Sequence, residues 1–96
     1  MPNTWSREFG ALISAQRKSK NLPLRKVAAA LDIDTSTLSK IEKGERTATS
    51  KMIPVIADLF GLDFKELQIG YLRQKLTDEF SREPFFDEAI QKISKS

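Results

Sequence analysis

Apolar residues recur at helical spacing along most of the chain, and the most informative stretch spans residues 24–44. Its first half repeats apolar residues at steps of three and four, as one face of a helix does. These residues are Leu24, Val27, Ala28 and Leu31. Asp32 and Asp34 then interrupt the pattern, because aspartate tolerates a left-handed turn and can cap the helix that follows. The stretch predicts two short helices joined by a tight turn, the second of which starts at Thr35.

The two sides of this second helix differ in chemistry. At about 100° per residue, Leu38, Ile41 and Glu42 share one side. The opposite side is short, polar and basic, and it consists of Ser36, Ser39, Lys40 and Lys43. The pattern predicts a helix whose inner side packs on a core and whose outer side is free to bind.

The same periodicity predicts four more helices. They are Trp5 to Ser19 with Asn3 or Thr4 as its cap, Lys51 to Phe60 closed by Gly61, Phe64 to about Phe80 capped by Asp63, and a sixth helix with Pro84 in its first turn. Gly44 is expected to end the helix that starts at Thr35, and residues 45–50 form a polar loop. Residues 1–67 are therefore expected to form the core unit, and residues 68–96 a helical extension of the same compact unit.

The last two predicted helices are rich in large apolar residues. The residues concerned are Tyr71, Leu72, Leu76, Phe80, Phe85, Phe86, Ile90 and Ile93. They could cap the core of the single chain. They could instead form the interface of a symmetric homodimer, which is the preferred interpretation because five helices can close a core without them.

Charge and composition narrow the class of protein. The 96 residues carry a net charge of +3. Residues 1–62 hold ten basic and six acidic side chains, whereas residues 63–96 hold six and seven, so the positive charge lies with the helix pair. No apolar run approaches the roughly 20 residues that span a bilayer. The first ten residues lack the apolar segment of a signal peptide, so a cytoplasmic location away from membranes is expected.

Catalytic chemistry finds little support in the sequence. The chain has no cysteine and no histidine, which excludes disulfides, Cys/His zinc sites, thiol nucleophiles and imidazole bases. Acidic pairs occur at Asp78-Glu79 and Asp87-Glu88, but adjacent residues on a helix point apart. They are interpreted as a solvated face, and neither a cofactor nor an enzymatic activity is predicted.

The stretch from residue 24 to 44 resembles the helix-turn-helix of the Cro and phage-repressor family, also called XRE-type regulators. The similarity rests on Val27-Ala28, Ile33, the serine-rich run 36–39 and Glu42-Lys43-Gly44, and it extends over about Phe9 to Leu67. It implies an all-α fold, namely a five-helix lambda-repressor-like DNA-binding domain, here with an added C-terminal helix. The implied function is a sequence-specific transcriptional regulator that binds double-stranded DNA through the major groove.

The resemblance also implies roles for individual residues. Base-reading positions match Thr35, Ser36 and Lys40, and a lysine there can donate to guanine. Phosphate or secondary contacts match Arg25, Lys26, Thr37, Ser39, Lys43, Arg46, Thr47, Thr49, Ser50 and Lys51. For Thr47 and Thr49 a plain solvated loop is an equally good interpretation. This chain differs from the family pattern in two places. It has Asp32 where the family usually has glycine, and Leu24 where many members have a polar residue.

One structural ion pair is implied as well, between Arg17 and Glu42. The alternative is that the two are unrelated surface charges, but Glu42 falls on the apolar side of its helix, where an unpaired carboxylate is costly.

Two functional hypotheses follow. In the first, a homodimer reads an inverted repeat whose half-sites lie about 34 Å apart. In the second, the chain is an antitoxin or regulatory subunit whose C-terminal helices bind another protein.

Overall fold

Helices account for most of the chain in the computed structural model, which describes residues 4–95. Their bounds are α1 (Thr4–Ser19), α2 (Leu24–Ala30), α3 (Thr35–Glu42), α4 (Met52–Phe60), α5 (Phe64–Phe80) and α6 (Phe86–Lys95). No strand occurs within residues 4–95, and the predicted all-α class is confirmed. Asn3, one of the two predicted caps of the first helix, lies outside the described residues.

Two helices start later than the sequence predicts. α4 begins at Met52, and Lys51 occupies its cap position without a side-chain hydrogen bond. α6 begins at Phe86 instead of near Pro84. The residues before Phe86 form turns, one of which is closed by the N–H of Phe86 donating to the carbonyl of Glu83 at 3.2 Å.

The first four helices end in the same way. A residue with a left-handed backbone follows each of them: Asn21, Asp32, Gly44 and Gly61. After α2 the N–H of Ile33 donates to the carbonyl of Ala28 at 3.0 Å, and that of Asp32 donates to Ala29 at 3.1 Å. This pair of bonds satisfies carbonyls that a helix end otherwise leaves unpaired. The connection between α2 and α3 is therefore short and has a fixed geometry, which sets the angle between these two helices.

The core lies among α1, α2, α3 and α4, with the first half of α5 along one side. Its largest fully buried side chains are Ile13, Val27, Leu38, Ile41, Ile53 and Ile56. α1 runs through the centre of this arrangement and packs on α3, α4 and α5. Near its start, Trp5 stacks on Phe9 with ring centroids 4.7 Å apart and meets Tyr71 edge-on at 5.8 Å.

Tyr71 corrects one prediction for the C-terminal helices. It was assigned to a dimer interface, but its side chain is only 4% exposed and belongs to the core, because Trp5 covers it. From residue 72 to residue 93 no side chain is buried. The second half of α5 and α6 therefore extend beyond the core of the molecule, whose dimensions are 45 × 25 × 20 Å.

Candidate nucleic-acid interface

The outer side of α3 is a polar surface supported by buried apolar residues. Leu38 and Ile41 are fully buried, and they hold the inner side of the helix on the core. Five of the predicted DNA contacts lie on α3, and a sixth, Lys43, is its C-cap residue. Thr35, Ser36, Lys40 and Lys43 are exposed, whereas Thr37 and Ser39 are half-buried. The two-sided character expected of this helix is thus present in the structure.

Asp34 organises the start of α3. A carboxylate oxygen of Asp34 accepts a hydrogen bond from the backbone N–H of Thr37 at 2.7 Å, which caps the helix. The hydrogen bonds from Thr37 hold the pKa of Asp34 below its ordinary value, and the positive charges of Arg46 and Lys40 lower it further. The exposed surface at this end of α3 thus combines one carboxylate with two cations near it.

A pair of charged side chains joins α1 to the end of α3. The Nε of Arg17 donates to Oε2 of Glu42 at 2.8 Å, and Nη2 donates to Oε1 at 3.1 Å. Nη1 donates to the backbone carbonyl of Leu22 at 3.1 Å. Only 15% of the Arg17 side chain and 9% of the Glu42 side chain are exposed. The hydrogen bond with Glu42 raises the pKa of Arg17, against the opposing effect of burial.

Two glycines bring the same helices into direct backbone contact. A Cβ atom at Gly10 would lie 2.7 Å from the carbonyl oxygen of Glu42 and still closer to that of Ile41. A Cβ atom at Gly44 would lie 2.8 Å from the Cα of Arg7, and Gly44 also has a left-handed φ of +76°. Together with the ion pair, these contacts attach the C-terminal turn of α3 to α1 at three points.

The loop after α3 is held on the core at its middle, and the residues at both of its ends are exposed. Ala48 is buried in the core, and the hydroxyl of Thr47 lies 3.3 Å from that of Ser6 in α1. Ser6 is itself only 2% exposed. Thr47 therefore holds the loop on α1, and its phosphate contact stays a prediction. The other predicted loop contacts are exposed: Arg46, Thr49, Ser50 and Lys51.

The start of α2 shows the consequence of the apolar residue at position 24. Leu24 is half-buried against the core, and the N-cap residue, Pro23, makes no side-chain hydrogen bond. Arg25 and Lys26 are exposed on the outer side of this helix. The structure therefore leaves two cations on α2 available for an anionic partner.

Sequence reasoning missed several residues that hold this surface in place, namely Ser6, Arg7, Gly10 and Ala48. A signal existed for Gly10, because glycine inside an amphipathic helix weakens that helix and commonly marks a close backbone approach. Within residues 4–95 no group of three or more acidic side chains could hold a metal ion. None of the described helices has the length and apolar character required to cross a membrane.

Comparison with known proteins agrees with the geometry of α2 and α3. Residues 13–67, which include both helices and the turn between them, match the family described as Helix-turn-helix. The chain belongs to this family. The resemblance to Cro and phage-repressor regulators is thereby confirmed, and the chain is a DNA-binding regulator of this type.

Similar proteins are known from a phage and from a bacterium. The chain is 36% identical over 63 residues to the "ImmF control region 10 kDa protein" of Bacillus phage phi105, which covers 66% of this chain and 70% of the phage protein. Two crystal structures of the clp gene regulator ClgR from Corynebacterium glutamicum share the fold. One has a TM-score of 0.58 at 21% identity and covers 75% of this chain and 94% of its own. The other has a TM-score of 0.61 at 19% identity and covers 91% and 97%.

Proposed function

We propose that this regulator is a cytoplasmic, non-enzymatic homodimer that reads an inverted repeat in double-stranded DNA. In this proposal α1 to α5 form a lambda-repressor-like domain, and α6 is an addition to it. The observation that carries the proposal is the outer side of α3, where small polar residues and lysines stand on a buried apolar support within a confirmed helix-turn-helix. The relatives named a control-region protein and a gene regulator favour the same role.

Two of the proposed base readers lie at the start of α3, and the third lies in its last turn. A major groove admits one helix, and the small side chains of Thr35 and Ser36 allow the backbone of α3 to come close to base edges. Lys40, one turn further on, can donate to the O6 or N7 atom of a guanine. We propose Thr37, Ser39 and Lys43 as secondary contacts beside these residues.

The proposed phosphate contacts come from the elements before and after the reading helix in the chain. Arg25 and Lys26 extend from α2, and Arg46 and Lys51 extend from the two ends of the anchored loop. Thr49 and Ser50 are exposed beside them and add hydroxyl donors. Such contacts fix the register of a protein on the duplex and carry no sequence information themselves. They also make affinity fall steeply with salt, because bound counterions are released from the DNA.

Two alanine substitutions separate the two classes of contact. Lys40→Ala is expected to cost about 1–3 kcal/mol of binding free energy and to relax base preference at one position. Arg46→Ala is expected to weaken binding to all sequences alike and to reduce the salt slope by about one. Lys65→Ala is the matched control, since Lys65 is an exposed lysine on α5, outside the proposed site.

The measurement is selection of bound sequences from a random DNA pool, followed by salt titrations on the selected duplex. An enriched inverted repeat supports the proposal for the wild-type protein. If Lys40→Ala binds the selected duplex with unchanged affinity and unchanged preference, α3 does not read the DNA in the way proposed.

A further inference from the structure

α5 carries apolar residues on two opposite faces. Leu67 and Tyr71 face the core formed with α1 and α4. A second stripe runs along the far side of the helix, and all of its members are exposed: Ile69, Leu72, Leu76 and Phe80. Their spacing of three and four residues keeps them in one line. Within residues 4–95 only α6 approaches this stripe, at Leu76 and Phe80, and every member stays at least 41% exposed, although such a row of apolar side chains normally packs against another helix.

α6 continues the stripe into a groove. Phe85, Ile90 and Ile93 stand beside Leu76 and Phe80, and together with neighbouring residues they line an apolar depression of about 430 Å³. Phe85 is the most exposed of these residues, at 73%. The second stripe of α5 and this groove are called the C-terminal apolar surface below. It offers both a hollow and a projecting aromatic ring.

We propose that a second copy of this chain covers the C-terminal apolar surface, with Phe85 of each copy seated in the groove of the other. A two-fold interface requires one patch to complement itself, and a groove beside a projecting ring meets that requirement. This proposal names the surface by which the homodimer proposed above would form, and it rests on that proposal for its use in DNA recognition.

The area of the surface agrees with such a pairing. An aromatic side chain buries about 150–250 Å²; with the low end of this range taken for each large apolar member, the exposed fractions amount to roughly 500–600 Å². That value is at the upper end of the largest patch on a typical monomer, which is about 300–600 Å². A standard interface buries about 800 Å² on each partner, of which a part is a polar rim. The apolar surface and a modest rim reach this size.

The charges around the surface favour a second copy over a charged partner. Residues 63–96 hold six basic and seven acidic side chains, so two copies meet without strong repulsion. On the rim, Lys75 pairs with Glu79 at 3.1 Å within one helix, so these two side chains add no net charge to it. Asp87 and Glu88 stand in the first turn of α6, where the helix dipole stabilises them.

The first test is the mass of the full chain in solution. Wild-type protein is expected at twice the chain mass of 10.9 kDa, and Phe85→Asp is expected to raise the dimer dissociation constant about a hundredfold or more. Phe64→Asp is the matched control, because Phe64 is also an exposed aromatic residue but lies outside the C-terminal apolar surface. Light scattering over a range of protein concentrations measures all three. A monomeric wild type, an assembly larger than a dimer, or a Phe85→Asp variant that stays dimeric would each overturn the proposal.

Cross-linking tests the contact directly. Because the chain contains no cysteine, a mixture of a Phe85→Cys chain with a Leu76→Cys chain can form a disulfide only between two molecules. Rapid oxidation to the mixed dimer supports the proposed pairing. A rate no higher than that of Phe85→Cys mixed with Phe64→Cys contradicts it, even where the mass is dimeric, because the two copies then meet through another surface.

DNA-binding measurements distinguish a failure of the proposed interface from a failure of the proposed function. Phe85→Asp should still bind a single half-site with the salt dependence of the wild type, while it loses preference for the paired half-sites. A dimeric wild type that binds no DNA overturns the proposed function and leaves the interface intact.

Discussion

The ion pair between Arg17 and Glu42 allows a quantitative prediction. We consider Arg17→Met and Glu42→Met, which keep most of the side-chain volume, and the double variant. Breaking a buried pair typically costs 3–5 kcal/mol, roughly, because one charge is left without its partner. The exposure of 15% and 9% admits some water to this pair, which lowers the expected cost to about 2–3 kcal/mol for each single change. In a domain of this size that cost lowers the melting temperature by about 10–20 °C.

The double variant tests whether the two charges stabilise the protein through each other. With both charges removed, no unpaired group remains in the interior, and two methionines can pack in the vacated volume. It should therefore be more stable than either single variant, with a coupling energy of about 2 kcal/mol or more. A distant or solvated pair would instead give additive losses.

Urea unfolding followed by tryptophan fluorescence is a suitable assay. The chain has one tryptophan, Trp5, which stacks on Phe9 in the interior. All variants should be compared at one protein concentration, because dimerisation adds to apparent stability. Additive losses, or single losses below about 1 kcal/mol, would refute the conclusion that this pair holds α3 on α1.

The remaining predictions concern backbone contacts and the cap of α3. Gly10→Ala should cost about 2 kcal/mol or more, since its Cβ meets backbone carbonyls, and any surviving fold should bind DNA less tightly because α3 is displaced. Gly44→Ala should cost more than Gly61→Ala in thermal unfolding: both sites have a left-handed φ, but only Gly44 has a neighbour, Arg7, within 4 Å. Asp34 has a lowered pKa, so its stabilising effect is present above its ordinary pKa of 3.8 and is lost as pH falls through the lower folded value. Asp34→Asn keeps the cap and should lack this loss in acid titrations.

Asp34→Asn also bears on recognition. The carboxylate stands at the end of α3 that is proposed to enter the groove, where it would repel phosphates. Removing one charge several ångströms from a phosphate in water should tighten binding about threefold. Binding to unrelated sequences should tighten as much as binding to the selected repeat, which a competition titration can measure.

The helix-turn-helix was predictable because its signals are local. Asp34 and Asp63 cap their helices as the sequence predicts, and Gly44 and Gly61 adopt the left-handed backbone expected after a helix. Each of these residues acts on atoms within a few positions of itself in the chain. The local amino-acid sequence is therefore sufficient to predict where these helices start and end. For the same reason the family resemblance was visible without a structure.

The contacts that orient the helices depend on residues far apart in the chain. Gly10 matters because α3 crosses α1 at that point, and nothing near Gly10 in the sequence indicates which helix crosses there. The faces of α5 are a second case. Apolar residues on both sides blur its periodicity, so Tyr71 and Leu72 were assigned to one interface although they face different environments. Tyr71 faces the core and contacts Trp5, which lies 66 positions earlier in the chain, and Leu72 remains exposed.

α1 links the two surfaces on which the proposed mode of action depends. At one side it holds the end of α3 through Gly10, Gly44 and the Arg17–Glu42 pair. At its start, Trp5 contacts the ring of Tyr71, on the face of α5 opposite to the C-terminal apolar surface. A dimer that reads two half-sites must keep its two reading helices at a fixed distance, close to one turn of DNA. Changes along α1 should therefore alter the tolerated spacing of half-sites before they alter the bases that are preferred, because in the proposed mode of action base preference depends on the outer side of α3.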